Sequence, residues 1–346
     1  MAMADTASLP IVDYRRLRDT STKKDELKKL QHALFGIGFL YLINTEVTDT
    51  VKQIYDILPG LFAMPSEKKE AVAMVKSPAF VGYTKLGAET TAGATDMREQ
   101  FDFGTVTKDA WKEGEPMWRR MEGPSEYPDY PGCEPLIRRY LGQMTDLTNE
   151  FLGFVGESLE LPSDVLNPFL GTMHRLKLVK YPRSSPGSIG VGPHKDSSGL
   201  FTFLSQDSVG GLQVLSKSGE WIDAPPIEGS FVINVQQGLE AITGGVCSAT
   251  THRVIAPTST TRYSIPFFQG IDPSLTLTEL KSAAAHIVSK VPVSDDTKKR
   301  AVDVPSEYLS PVYPCLGDAY LRNRVVSHPD VGQKWYPDLY LKYSKQ

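Results

Sequence analysis

Between residues 172 and 270 the chain breaks into short runs of apolar and β-branched residues, each closed by a turn signal: "LKLVKYP", "GLFTFLSQD", "GLQVLS", "EWIDAPP", "SFVINV", "THRVIAP" and "RYSIPFF". Runs this short and this evenly spaced specify an all-β sandwich or barrel. The flanks read differently. From Glu134 to Leu161, Leu136, Tyr140, Met144, Leu147, Phe151 and Phe154 recur every three or four residues, the stripe of a long helix whose first turn accommodates Pro135. Ahead of it, "LPIVDY" at 9–14 predicts a short strand. Thr22 and Asp25 have capping-box spacing, and Leu27, Leu30 and Leu34 recur at helical intervals. "FLYLI" reads as a buried strand released by Gly36 and Gly38. Residues 48–63 form an amphipathic segment, and Pro65 can open a short helix after it. The expected fold is mixed α/β with a mostly β core. Its expected units are a leading segment 8–115, a connection and long helix 116–170, a β core 171–271 and a helical extension 272–346.

The bulk numbers narrow the function. A chain of 346 residues that is 40% hydrophobic and 23% charged can bury a sizeable core. A net charge of −4 supplies no footprint for nucleic acid or an anionic membrane surface. The longest apolar run, "ALFGIGFLYLI", has 11 residues and two glycines, too few to cross a bilayer. "MAMADTASLP" lacks the pattern of a secretory leader, and "YSKQ" is not a peroxisomal address. Cys133, Cys247 and Cys315 are scattered without CxxC spacing and are expected as reduced thiols in a cytoplasmic protein.

The β region also carries the residues with chemistry. "GVGPHKDSSGLFTFLSQD", residues 190–207, sets His194 and Asp196 two positions apart, so in an extended segment both leave one side of the strand. A third ligand has to come from another strand, and "SATTHRVIAP" supplies His252. Two imidazoles and a carboxylate on one face of a metal leave the opposite positions open, the facial triad of non-haem Fe(II) oxygenases. His32 lies on the leading helix, His286 and His328 in the tail, and His174 ahead of the first core strand, so none competes well. Each histidine taken singly is also served by a structural hydrogen bond. Ten residues beyond His252, "TTRYSIPFF" adds Arg262 and Ser264 on one strand face. A buried arginine needs an anion, and its fork suits a carboxylate, whether of a ligand or of a salt bridge within the barrel.

The order His-x-Asp, His, Arg-x-Ser, with 55 residues between Asp196 and His252, resembles the Fe(II)- and 2-oxoglutarate-dependent dioxygenases of the isopenicillin N synthase-like superfamily. "QDSVGGLQVLSKSGEWIDAPPIEGSFVINV" is similar to the family's stretch between the two ligand strands, and "ITGGVCSATTHRVIAP" to its approach to the second histidine. "LPIVDYRRL", "GIGFLYLIN" and "LFAMPSEKK" resemble its leading domain. The resemblance implies a double-stranded β-helix, or jelly roll, flanked by helices. It implies Fe(II) on His194, Asp196 and His252, with 2-oxoglutarate as co-substrate meeting Arg262, Ser264 and Tyr181. It also implies reaction with O2 and a small-molecule substrate, hydroxylated or desaturated with release of succinate and CO2. Two departures stand out: Val179 where many plant relatives carry asparagine, and Gln236–Gln237 where they carry Gly-Asp, which puts the loop there in question.

Substrate contacts follow more loosely from the same resemblance. Phe268 matches an aromatic that stacks on substrate, and Lys177 a basic residue beside it. Phe101 and Phe103 of "EQFDFG" share a strand side that can face the pocket, and Tyr83 and Lys85 sit in a segment that often lines the entrance. Such aromatics are more often plain core, and such lysines more often solvated charges. Together they suggest a planar or carboxylate-bearing substrate, a secondary metabolite by analogy. The same triad also serves isopenicillin N synthase-like and aminocyclopropane-carboxylate-oxidase-like enzymes, which do not consume 2-oxoglutarate. A zinc hydrolase lacks a second carboxylate base near the triad, and a non-catalytic jelly-roll binding module is the remaining reading.

Overall fold

The computed structural model describes residues 9–91, 93–108, 111–216, 219–292 and 304–344. The first eight residues and the last two, on which the reading of the terminal signals rests, lie outside the described residues.

The strands are β1 (Ile11–Asp13), β2 (Phe39–Ile43), β3 (Gly82–Thr84), β4 (Thr90–Thr91), β5 (Ala94–Thr95), β6 (Glu99–Gly104), β7 (Arg175–Tyr181) and β8 (Ile189–His194). They continue with β9 (Gly199–Gln206), β10 (Leu212–Leu215), β11 (Trp221–Asp223), β12 (Phe231–Val235), β13 (His252–Ile255) and β14 (Arg262–Gly270). β7 to β14 split between two facing sheets. The larger sheet has the order β1-β2-β12-β9-β14-β7-β6-β3, and the smaller β11-β10-β13-β8. This is the double-stranded β-helix, flanked by helices. The leading segment does not stand apart: β1 and β2 extend the larger sheet beyond β12, and β6 and β3 extend it beyond β7. No helix of the described residues is long and apolar enough to cross a membrane.

Strand alternation assigns the two faces of the larger sheet. Leu176 and Leu178, Phe201 and Phe203, Phe231 and Ile233, and Ile265 and Phe267 join the main core. There the helix Cys133–Ser158 lays its stripe across them, with Phe151 edge-on to Phe201 and Phe203 at 5.5 and 5.2 Å between centroids. Burying such a ring contributes about 2–3 kcal/mol. The opposite face packs Val179, Tyr181 and Val232 against Val191, Leu212, Val214 and Val254 of the smaller sheet.

Local readings fare unevenly. The amphipathic segment is the helix Thr48–Phe62, and Pro65 directly precedes the helix Ser66–Glu70. The capping box at Thr22 does not form. Thr22 has helical dihedrals ahead of the helix Lys23–Gln31 and gives its hydroxyl to the Arg16 carbonyl at 3.0 Å. A π-helical stretch, His32–Ile37, follows and ends at Gly38, whose φ of 87° is left-handed. A Cβ at Gly38 would also collide with the Thr250 hydroxyl, so glycine is required where β2 enters the sheet.

His174, just ahead of β7, is not a spare ligand. It is buried, and its Nδ1 accepts the Gly270 N–H at 2.9 Å, fastening the start of β7 to the end of β14. Burial pushes its pKa down to about 4 from the ordinary 6.5. The folded state therefore refuses a proton that the unfolded chain accepts. The associated stability is complete above pH 6.5 and is lost as pH falls towards 4, at about 1.4 kcal/mol per pH unit. His174→Gln should lose about 2 kcal/mol less than wild type between pH 7 and pH 5 in urea unfolding. Equal acid losses in the two proteins would show that His174 is not buried neutral.

Candidate metal and co-substrate site

The pairing of β8 with β13 sets His252 directly opposite His194, and the two rings lie 4.3 Å apart between centroids. Asp196 follows two residues past His194. One ligand atom from each of the three lies within 4.8 Å of the other two. His194 Nδ1 sits 2.8 Å from the Gly192 carbonyl, and His252 Nδ1 3.2 Å from the Thr250 carbonyl. A carbonyl can only accept, so each Nδ1 carries the proton and each Nε2 presents a bare lone pair. Asp196 Oδ2 accepts from the Thr202 hydroxyl at 2.5 Å and from Asn234 Nδ2 at 2.8 Å.

The electrostatics suit a cation. Burial alone would raise the Asp196 pKa, but the His252 and His194 imidazoles and the Thr202 hydroxyl hold it well below the usual carboxylate range. Burial and the neighbouring His194 push His252 down to about 4, so it is neutral at pH 7. Burial opposes protonation of His194 too, but the adjoining Asp196 outweighs it and raises the pKa. An anionic oxygen and two imidazoles turned inward form a donor set that fits a divalent transition metal.

The triad opens on a cavity of about 640 Å³ between the sheets. β14 gives it Arg262, Ser264, Pro266 and Phe268, and β7 gives Arg175, Lys177 and Tyr181. Arg262 is wholly buried. Its Nη2 donates to Gln206 Oε1 at 3.1 Å, and its guanidinium lies 4.8 Å from the centre of the Tyr181 ring. Its Nε and Nη1 find no acceptor among the described residues, and no carboxylate of those residues comes within ion-pair reach. A buried guanidinium with two idle nitrogens fits an absent carboxylate. Val179 stands directly across from Ser264 and offers no polar atom there.

Other expected contacts land elsewhere. Phe101 and Phe103 turn to the main core, packing on Tyr83 and Tyr127 at 5.0 and 5.3 Å, because the alternation of β6 runs opposite to the reading above. Their strand neighbour Asp102 lines the cavity instead. Tyr83 is buried in that core and donates to Glu99 Oε2 at 2.7 Å, and Lys85 is exposed outside the cavity wall. Lys177 and Phe268 do line it, but Lys177 is committed to Asp102 at 2.9 Å and Glu89 at 3.6 Å.

Sequence reasoning missed most of the cavity's charged wall. Arg98 pairs with Glu89 at 2.9 Å and with Asp96 at 3.0 Å, and Arg324 reaches Asp102 at 3.6 Å. Tyr320, Asn323, Arg324 and Ser327 enter the cavity from one face of the helix Leu316–Ser327. Asn323 donates to Ser197 Oγ, beside the triad. The two glutamines also gain a role. Gln236 Oε1 accepts from the backbone N–H and hydroxyl of Ser198 at 3.0 Å each. Gln237 Oε1 accepts from the backbone of Glu307 at 2.7 Å, tying the tail to the core. Period-two parity would have found Asp102 and Arg175, but nothing local marks the tail.

Comparison with known proteins agrees with this geometry. Residues 9–130 match the N-terminal domain described as "non-haem dioxygenase in morphine synthesis", and residues 173–271 match the 2OG-Fe(II) oxygenase superfamily. A 2-oxoglutarate-dependent dioxygenase of Dothideomycetidae sp. (strain 11243) is 36% identical, over 98% of this chain and 95% of its own length. Another from Gibberella zeae is 34% identical over 96% of this chain and 92% of its own. Among solved structures, a full-length Neurospora crassa protein in complex with alpha-KG shares the fold. Its TM-score is 0.70 at 24% identity, covering 94% of this chain and 98% of that one. The chain belongs to the Fe(II)- and 2-oxoglutarate-dependent dioxygenases.

Proposed function

We propose that His194, Asp196 and His252 hold the iron, that Arg262, Ser264 and Tyr181 hold 2-oxoglutarate, and that the molecule oxidised lies towards Phe268 and Lys177. One observation carries this reading: a single cavity joins three inward-facing ligand atoms to a fully buried guanidinium with two idle nitrogens. When bound, iron and 2-oxoglutarate supply the chemistry, in which O2 and 2-oxoglutarate are consumed, succinate and CO2 are released, and a C–H bond is oxidised.

The chain's own part is positioning and exclusion. Thr202 and Asn234 keep Asp196 ionised and aimed. The carbonyls of Gly192 and Thr250 fix the imidazole tautomers. Arg262 orients the far carboxylate of the co-substrate by its fork, with Tyr181 across its plane. Val191, Leu204, Leu212 and Val254 line the same space and limit water, which strengthens each of these contacts. The charged wall of Glu89, Arg98, Asp102 and Lys177 favours a polar, carboxylate-bearing substrate over a planar flavonoid-like one. A place in secondary metabolism rests on the family likeness alone. The thiols of Cys133, Cys247 and Cys315, none of them in a disulfide, favour a reducing compartment such as the cytoplasm. We read the chain as units at 8–115, 116–170, 171–271 and 272–346, of which the first shares its sheet with the third, and the first and the last both help to build the cavity.

Anaerobic protein given Fe(II) and 2-oxoglutarate should develop a visible charge-transfer band, and a metabolite panel should reveal substrate-stimulated succinate formation. Active protein without succinate would sink the assignment. Arg262→Lys should raise the KM for 2-oxoglutarate about 10- to 100-fold at unchanged metal affinity, because an ammonium cannot reproduce the fork. An unchanged KM would put the co-substrate elsewhere. Asn234→Leu should weaken Mn(II) binding about 10- to 100-fold in a protein that remains folded. Wild-type affinity in that variant would show that Asp196 is not a ligand.

A further inference from the structure

The cavity has a second charged end. In the antiparallel pairing of β14 with β7, Arg262 faces Tyr181, Ser264 faces Val179 and Phe268 faces Arg175. Arg175 therefore stands six residues along the strand from the Arg262 level, roughly 20 Å at a strand's rise. Thr202, which holds Asp196, is level with Phe268 on β9, so the triad looks onto this end as well as towards Arg262.

Here the charges do not cancel. Arg98, Lys177 and Arg324 pair with Glu89, Asp96 and Asp102, and Arg175 adds a fourth cation to three carboxylates. His328, 3.5 Å from Glu89, stays neutral, because burial and the nearby Arg324 push its pKa far down. The other charged residues of this part of the cavity have partners: Arg322 meets Glu307 at 2.5 Å and Lys195 meets Glu240 at 3.4 Å. The surplus falls on Arg175. It is 6% exposed, and no carboxylate of the described residues lies within ion-pair reach. Its Nη2 donates to the Met121 carbonyl at 2.7 Å and to Met173 Sδ at 3.3 Å, and the Tyr320 hydroxyl is a further neutral partner, while its Nε finds no acceptor among the described residues. On β6 Gly104 stands across from Arg175 and Asp102 across from Lys177; Asp102 Oδ1 meets Lys177, but the buried Oδ2 accepts nothing among the described residues. A buried cation without an ion-pair partner and an unfilled carboxylate oxygen are each costly, and both line this end of the cavity. Their joint complement is an anion with a hydrogen-bond donor next to it.

We propose that this end of the cavity is a head-group site in which Arg175 takes a substrate carboxylate and Asp102 Oδ2 accepts from an adjacent ammonium or hydroxyl. The substrate is then an amino or hydroxy acid, lying along Phe268 with its oxidised carbon towards the triad. Tyr320 and Arg324 of the tail helix close the same corner. This deepens the dioxygenase reading and rests on it.

The test uses the anaerobic protein with Fe(II) and 2-oxoglutarate, titrated with the proteinogenic L-amino acids, their 2-hydroxy analogues and their amides. At least one free acid should shift the charge-transfer band and raise the Tm, while its amide does neither at tenfold higher concentration. Preference between the amino and hydroxy series identifies the donor. Arg175→Gln should keep the band but weaken that acid about 10- to 100-fold. If that variant lacks a cooperative thermal transition, Asp102→Asn, which conserves shape, should weaken the same acid by a similar factor. The proposal is overturned if no acid of the panel binds, if amides bind as well as acids, or if a folded variant binds the acid like wild type. Absence of the band in wild type would instead overturn the iron and 2-oxoglutarate assignment.

Discussion

The whole site depends on one constraint, the period-two alternation of strands locked in an antiparallel ladder. β7, β9, β12 and β14 each send alternate residues to the helix-covered core and the rest to the space between the sheets. A slip of one residue in β14 would carry Arg262, Ser264 and Phe268 into the hydrophobic core and put Ile265 and Phe267 in the cavity. The aromatic packing of Phe201, Phe203 and Phe267 beneath the helix Cys133–Ser158 resists that slip. The core of this protein thus sets the register of its cavity face.

That face is expensive. Charged side chains sit around a cavity whose other walls mix Val, Leu and Pro with hydroxyls, amides and aromatic rings, and charge out of water is tolerated only when matched. Most of it is matched: Arg98 bridges Glu89 and Asp96, Lys177 bridges Asp102 and Glu89, and Thr202 with Asn234 satisfies Asp196. Among the described residues, the guanidiniums of Arg262 and Arg175 are not. An unmatched buried charge destabilises the empty protein and is relieved when an anion arrives, so favourable binding energy is held at the two ends of one trough. The triad opens on the same cavity.

The legibility of the site followed the length scale of its interactions. His194 and Asp196 were readable because two residues on one strand share a side whatever the rest of the chain does, and the same rule picked out Arg262 with Ser264. Phe101 and Phe103 were misjudged although the pattern was present. In "EQFDFG" the apolar set belongs to the core and the polar set, Gln100 and Asp102, to the opposite side, which is the ordinary consequence of alternation with one buried apolar face. Thr22 had the right spacing for a capping box, but the helix before it claimed its hydroxyl. Gln236 and Gln237 broke the family pattern in the sequence. In the fold they replace it with side-chain contacts to Ser198 and the tail.

By itself the sequence determined the β-rich core between helical flanks, the order His-x-Asp, His and Arg-x-Ser along it, and the face each shares with its near neighbour. These are properties of local backbone geometry and hydrophobic periodicity, so they survive without knowledge of partners. Only the tertiary structure decided that His252 pairs with His194, that Arg175 is left without a counter-ion among the described residues, and that Tyr320, Asn323 and Arg324 from the far end of the chain complete the cavity. Charge balance and enclosure depend on which groups lie within a few ångströms, and residues over a hundred positions apart acquire that proximity only when the two sheets and the tail helix pack together.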